Sequence, residues 1–148
     1  MARVTTFQGA PTPPSFGGWS YVVQSDPSGR RGWFHGSIDL KFPQTTSPDV
    51  FSSPLLGECV MTSTDTAKCF VIWYNIQRGN PSNQIMYIGT VNSEIRFLGP
   101  GSTEVTHHFA IYPPGSDTDG DGIPDEGSPT NAFTATTRDT RLPQPAAR

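Results

Sequence analysis

Residues 33–42 read with a period of two. Phe34, Gly36, Ile38, Leu40 and Phe42 fall on one side, with Trp33, His35, Ser37, Asp39 and Lys41 opposite. Successive side chains of a strand point to opposite faces, whereas a helix returns to the same face every third or fourth residue. The pattern predicts a half-buried strand. Residues 19–24 repeat it, with Trp19, Tyr21 and Val23 on one face. The link Ser25-Asp26-Pro27-Ser28-Gly29-Arg30-Arg31-Gly32 is dense in turn formers and predicts a first hairpin. A second hairpin is expected from about 55–62 to about 67–77 across Ser63-Thr64-Asp65, and further strands at 84–91, 94–98 and 104–112. The run Cys69 to Tyr74 is apolar on both faces, which predicts a central strand covered on both sides.

Composition agrees. Val, Ile, Thr, Phe, Tyr and Trp number 49, against 19 for Ala, Leu, Glu and Lys. Branched and aromatic side chains suit a pleated sheet, so a helical bundle is excluded. The expected fold is all-β, an antiparallel sandwich or up-and-down barrel of about seven strands with extended N- and C-terminal arms. Gly, Pro, Ser and Thr make up 61 of the 148 residues, and much of that surplus lies outside 19–112. Proline cannot donate to a central ladder. The expected organisation is a Pro/Gly-rich arm at 1–18, a β domain at 19–112, an acidic loop at 113–128 and a tail at 129–148.

Several function classes fall away. The longest apolar run, Cys69 to Tyr74, is far too short to span a membrane. An isoelectric point near 5.5 and only 10 basic residues argue against nucleic acid as a partner. No G-x-S-x-G, H-E-x-x-H or P-loop is present, so nothing points to an enzyme. The start, Met1 to Thr6, lacks the apolar segment of a secretory signal. It reads as a chain born in the cytoplasm, or as one whose signal Met1 replaces.

One motif carries chemistry. Residues 117–125 read Asp117-Thr118-Asp119-Gly120-Asp121-Gly122-Ile123-Pro124-Asp125. Calcium takes six to eight oxygens from a loop that bends around it. Carboxylates at alternate positions of a curved backbone project inward, and Gly122 permits the sharp turn. Asp117, Asp119, Asp121 and Asp125 are the candidate carboxylate ligands, and Ile123 the candidate carbonyl ligand. Residues 117–126 hold five of the 13 acidic groups, and the rest of the chain has 8 acids against 10 bases. A bound cation would offset that local charge.

These residues resemble the calcium loops of thrombospondin type 3 repeats, dockerins and bacterial cell-surface proteins. The resemblance covers about ten residues. It implies Asp117, Asp119, Asp121 and Asp125 as ligands of Ca2+. A complete EF-hand would place a Glu where this chain has Ser128, and would have helical flanks. A free-standing loop that fills at extracellular calcium levels is expected instead.

Cys59 and Cys69 sit at mirrored positions of the second hairpin, so a cross-strand disulfide is expected in an oxidising compartment. Two buried thiols are the alternative. His107 falls in the apolar row of its strand and reads as a satisfied core histidine, with His108 facing the other way. Trp19, Tyr21, Trp33, Trp73 and Tyr74 are candidate ligand-stacking residues, although core packing explains their alternation better. Gly17-Gly18-Trp19 resembles the Gly-x-Trp at the first strand of lipocalin-like barrels.

Two functions follow as expectations. The first is a non-enzymatic structural or adhesive subunit of an extracellular or surface assembly, such as a filament, sheath, surface layer or virion coat. It would self-associate through its terminal arms and be stabilised locally by calcium. The second is a lipocalin-like or lectin-like module holding a small apolar ligand or a glycan. A filled interior with arms lying over neighbours would favour the first. Arms tucked into the domain around an open cavity would favour the second.

Overall fold

The computed structural model describes residues 3–11, 18–39, 50–79, 82–125, 127 and 129–143. Nine strands run through them: β1 (Arg3–Pro11), β2 (Gly18–Ser25), β3 (Arg31–Asp39), β4 (Val50–Ser52), β5 (Leu55–Met61), β6 (Thr66–Gln77), β7 (Gln84–Gly99), β8 (Ser102–Tyr112) and β9 (Asn131–Arg141). A short 3-10 turn at Pro114–Ser116 is the one helical piece among the described residues. No helix there is long and apolar enough to cross a membrane.

The fold is all-β and every pairing is antiparallel. Apart from β4, which pairs only with β6, successive strands along the chain pair with one another, β3 with β5, and β9 pairs back onto β1. Together with the β6–β7 pairing, this closes the sheet into an up-and-down ring of eight staves. β4 and β5 share one stave, since both pair with β6. Ser53 bridges their junction: its N–H donates to the Tyr74 carbonyl at 2.8 Å, and its hydroxyl accepts from the Tyr74 N–H at 2.9 Å. Closure pairs all the strands but β4 on both sides; β4 is paired on one side only, with β6.

Alternation then decides the core. Phe34 of β3 points inward and is buried, while Trp33 and His35 point outward. Around the ring Tyr21, Leu55, Val71, Trp73, Val91, Val105 and Phe109 fill the interior. Tyr21 stacks on Phe34 with ring centroids 4.6 Å apart, and Phe109 stacks on Phe133 at the same distance. Trp73 meets Phe109 edge-on at 6.2 Å. The Trp73 ring lies against Gly89, where a Cβ would collide with the indole. That close approach is why a glycine interrupts the apolar row of β7.

Several expectations need correction. The arm expected at 1–18 contains β1, and the tail expected at 129–148 contains β9. Both are staves of the ring: Phe7 pairs with Arg141, and Val105 with Thr137. The proline argument fails because Pro11 is the last residue of β1, where a missing donor costs little. The remainder of the expected arms, 12–17 and 144–148, lies outside the described residues, as do Leu40, Lys41 and Phe42. The strands expected at 84–91 and 94–98 are one strand, β7. Cys69 to Tyr74 is not covered on both sides either. In a barrel the outer face meets solvent, and Phe70 is 37% exposed. Trp19 lies in the second strand, not the first.

Candidate functional site

The strands run alternately, so the ring has two distinct ends. One end carries the 26–30, 62–65 and 99–102 turns, the start of β1 and the finish of β9. We call it the mouth. The other carries the long 113–130 connection between β8 and β9.

The 113–130 connection is pinned at its neck. The Thr130 N–H and hydroxyl both donate to the Ile111 carbonyl, at 2.7 and 3.0 Å. Above that, the Asp125 N–H donates to the Ser116 carbonyl at 2.9 Å. The acidic segment is thus a closed loop rather than a strip of solvated chain. Its carboxylates accept from its own amides. Asp117 accepts from the Gly120 and Gly122 N–H groups at 2.9 and 3.0 Å, and Asp119 from the Asp121 N–H at 3.0 Å. Asp125 accepts from the N–H and the hydroxyl of Thr118, both at 2.8 Å, and from the Asp119 N–H at 3.2 Å. The Thr118 bonds hold the Asp125 carboxyl below the usual range, because they favour its charged form.

The loop also docks on the barrel. The Tyr74 hydroxyl, on the outer face of β6, donates to the Gly122 carbonyl at 2.9 Å. Gly122 has φ +89°, a left-handed conformation that favours glycine, and a Cβ there would strike the Tyr74 hydroxyl. Burial raises the Tyr74 phenol pKa, and the charges of Asp117 and Asp121 raise it further.

Three of the four expected carboxylates converge. Oxygens of Asp117, Asp119 and Asp125 lie within 4.8 Å of one another. Calcium–oxygen distances of 2.3–2.6 Å place two ligands on opposite sides of one ion at most about 5 Å apart, so this trio fits a calcium ion. Asp121 stands outside the trio, and its Oδ1 accepts from the Ile123 N–H at 2.7 Å. The Ile123 side chain is exposed.

Cys59 and Cys69 face each other across β5 and β6 and are joined in a disulfide. Both point into the barrel and are buried. Such bonds persist in oxidising compartments.

The aromatic candidates do not form one platform. Tyr21 and Trp73 are inside the barrel, Trp33 is outside, and Tyr74 holds the acidic loop. The Trp19 side chain is outside the described residues. Trp33 instead shares the outer face with Leu56 and Phe70, with Glu58 standing between Trp33 and Phe70. It is 55% exposed, Leu56 is 53% exposed, and Phe70 of β6 faces the same side.

At the mouth the barrel is open. A cavity of about 160 Å³ is walled by Val23, Met61, Ala67, Ile95 and Phe97, together with Tyr21 and Thr103. The first hairpin, from Ser25 to Gly32, borders it, with the Arg31 side chain on the outward side of β3 like that of Trp33. The carbonyl of Arg30 accepts from the Met61 N–H at 2.8 Å, so this turn is tied to β5.

Behind Tyr21 of the cavity wall lies a buried polar group. The Tyr21 hydroxyl donates to Asp139 Oδ2 at 2.7 Å, and Asp139 is fully buried. Burial pushes the Tyr21 pKa well up, and the Asp139 charge adds to it. Deeper still, His107 Nδ1 meets Ser93 Oγ and its Nε2 meets Thr137 Oγ1, both at 2.9 Å. Burial first, and the nearby His108 second, lower its pKa to about 3. His107 is therefore the satisfied core histidine its register predicted. Asp139 was traceable in principle, since Phe133, Ala135, Thr137 and Asp139 share one face of β9.

No family model, curated protein or solved structure matches this chain.

Proposed function

We propose that this chain is a non-enzymatic binding module of the lipocalin-like kind, working outside the cytoplasm. It holds a small apolar ligand in the mouth of the barrel and binds Ca2+ in the loop at the other end. The observation that carries this reading is the apolar cavity open at the mouth. At about 160 Å³ it matches the engineered cavity of about 150 Å³ that admits benzene. The chain ends support the same choice, since β1 and β9 sit in the ring rather than reaching over neighbours. The disulfide and the calcium-compatible Asp trio both suit an exterior location.

The experiment is a titration of the folded protein with toluene, followed by calorimetry and by melting temperature. Saturable one-to-one binding that raises Tm is expected, and Val23→Phe, which fills the cavity, should abolish it. Absence of saturable binding would rule the reading out. The large apolar side chains exposed on the outer face, Trp33, Leu56 and Phe70, favour the structural or adhesive reading as a second choice, since such side chains supply contacts when a partner covers them. Sedimentation of the same samples tests it: a stable oligomer that Trp33→Ser dissolves would support that reading.

A further inference from the structure

We propose that the mouth cavity is a thiol–disulfide exchange site, in which a small apolar thiol attacks Sγ of Cys59 and displaces Cys69. This rests on the reading of the mouth as an apolar ligand site and names the chemistry that its wall can do. Cys59 lines the cavity and Cys69 does not. Both side chains belong to the buried core, as the next inward-facing pair after Met61 and Ala67, which flank the 62–65 turn. A cleft on the outer wall also borders the two cysteines. It meets their backbone, because the side chains on that face are those of Glu58, Val60, Lys68 and Phe70. Among the described residues, the mouth is therefore the opening that the Cys59 sulfur faces.

Register decides which sulfur is attacked. Gly32, Cys59, Cys69, Ser93 and His107 pair in one inward row across β3, β5, β6, β7 and β8. A thiolate attacks one sulfur of a disulfide and expels the other. It approaches in line with the bond, from the side away from the leaving sulfur. For Cys59 that side is β3, where Gly32 has no side chain and also lines the cavity. The nearest cover there is the Val23 Cγ1 methyl, 2.7 Å from where a Cβ of residue 32 would lie. For Cys69 that side is β7, where Ser93 fills the row and is hydrogen-bonded to His107 at 2.9 Å. The Ser93 hydroxyl, directly across from Cys69, suits a departing thiolate as a donor. In the step, the incoming sulfur bonds to Cys59 as the Cys59–Cys69 bond breaks, and Cys69 leaves as a thiolate that takes a proton from water. The incoming thiol ends as a mixed disulfide on Cys59, so its oxidation is matched by the reduction of Cys69. Bringing a thiolate into an apolar cavity is unfavourable. The fit of the apolar body against Val23, Ile95 and Phe97 therefore selects which thiols react.

The test exposes the whole protein to phenylmethanethiol, the thiol of toluene's shape, or to glutathione, a larger charged thiol. Samples are quenched in acid at intervals, alkylated, cleaved after Lys68 and mapped by mass spectrometry. Each rate is divided by that of the same thiol on the chain unfolded in urea. On this scale phenylmethanethiol should react at least tenfold faster than glutathione, with its adduct on Cys59. Toluene at about ten times its Kd should slow phenylmethanethiol about tenfold, because only the empty cavity reacts. Equal scaled rates for the two thiols, as reaction through global unfolding would give, would overturn the exchange site, and so would an adduct on Cys69. Toluene that binds by calorimetry yet leaves the rate unchanged would overturn exchange and leave the apolar site standing. Failure of toluene to bind would overturn the reading of the mouth itself, and this proposal with it.

Discussion

His107 shows how one side chain can make a barrel sensitive to acid. It is fully buried between Ser93 and Thr137, and its pKa falls from 6.5 to about 3. In the unfolded chain a histidine titrates near 6.5. Between those values the unfolded state takes up a proton that the folded state refuses, so stability rises with pH across this window. The contribution is complete above about pH 6.5 and is lost progressively as pH falls toward 3. The slope from this one group is at most about 1.4 kcal/mol per pH unit. Chemical denaturation from pH 7 to pH 4 should show that loss, and His107→Gln should flatten the curve even if it lowers stability throughout. An unchanged slope in the variant would assign the acid sensitivity elsewhere. The inward position of His107 was legible from the row Val105, His107, Phe109 and Ile111. Its partners were not, because isolated hydroxyls such as Ser93 and Thr137 give no periodic signal of their own.

Among the elements, β7 and the 113–130 loop teach opposite lessons. Asn92-Ser93 reads as a break between two short strands, because polar pairs usually mark turns. In the barrel Ser93 points inward to His107 while Asn92 points out, so β7 passes straight through. Polar residues inside a barrel hide a strand from a hydrophobicity count. The acidic loop was legible, because glycine and aspartate at fixed spacing act locally and need no distant partner. Its docking to Tyr74, 48 residues away in the chain, was not. The loop's geometry gives a graded expectation. Asp117→Asn, within the converging trio, should weaken calcium binding at least tenfold. Asp121→Asn should weaken it less, since that carboxylate lies outside the trio. Calcium should slow amide exchange across 117–125, and a chelator should reverse this without altering the melting of the core. Equal losses from both substitutions would mean that Asp121 turns inward when the ion binds. No calcium-dependent protection at all would remove the metal from this loop.

For the whole molecule, the decisive structural statement is that the first and last strands, β1 and β9, pair with each other. An arm-and-core organisation and a closed ring make different predictions for the loss of residues 129–148. If those residues were a tail, a chain ending at 128 would keep its core and its melting transition. In the ring, β9 lies between β8 and β1, and it carries buried groups that other staves depend on. Thr137 completes the hydrogen bonding of His107, Asp139 accepts from Tyr21, and Phe133 stacks on Phe109. Its removal would open two strand edges and leave the buried Tyr21 hydroxyl without its acceptor, a loss of several kcal/mol against a net stability of about 5–15 kcal/mol. The truncated chain should therefore lose its near-ultraviolet dichroism and cooperative unfolding, and a synthetic 129–143 peptide added in trans should restore part of both. The Thr-rich ending looked like tail because its inward row, Ala135, Thr137 and Asp139, is small or polar. Those residues are what the barrel needs there, since Tyr21 and His107 already occupy the space and require partners more than they require bulk. A truncated chain that still unfolds cooperatively would show that the ring is closed without β9.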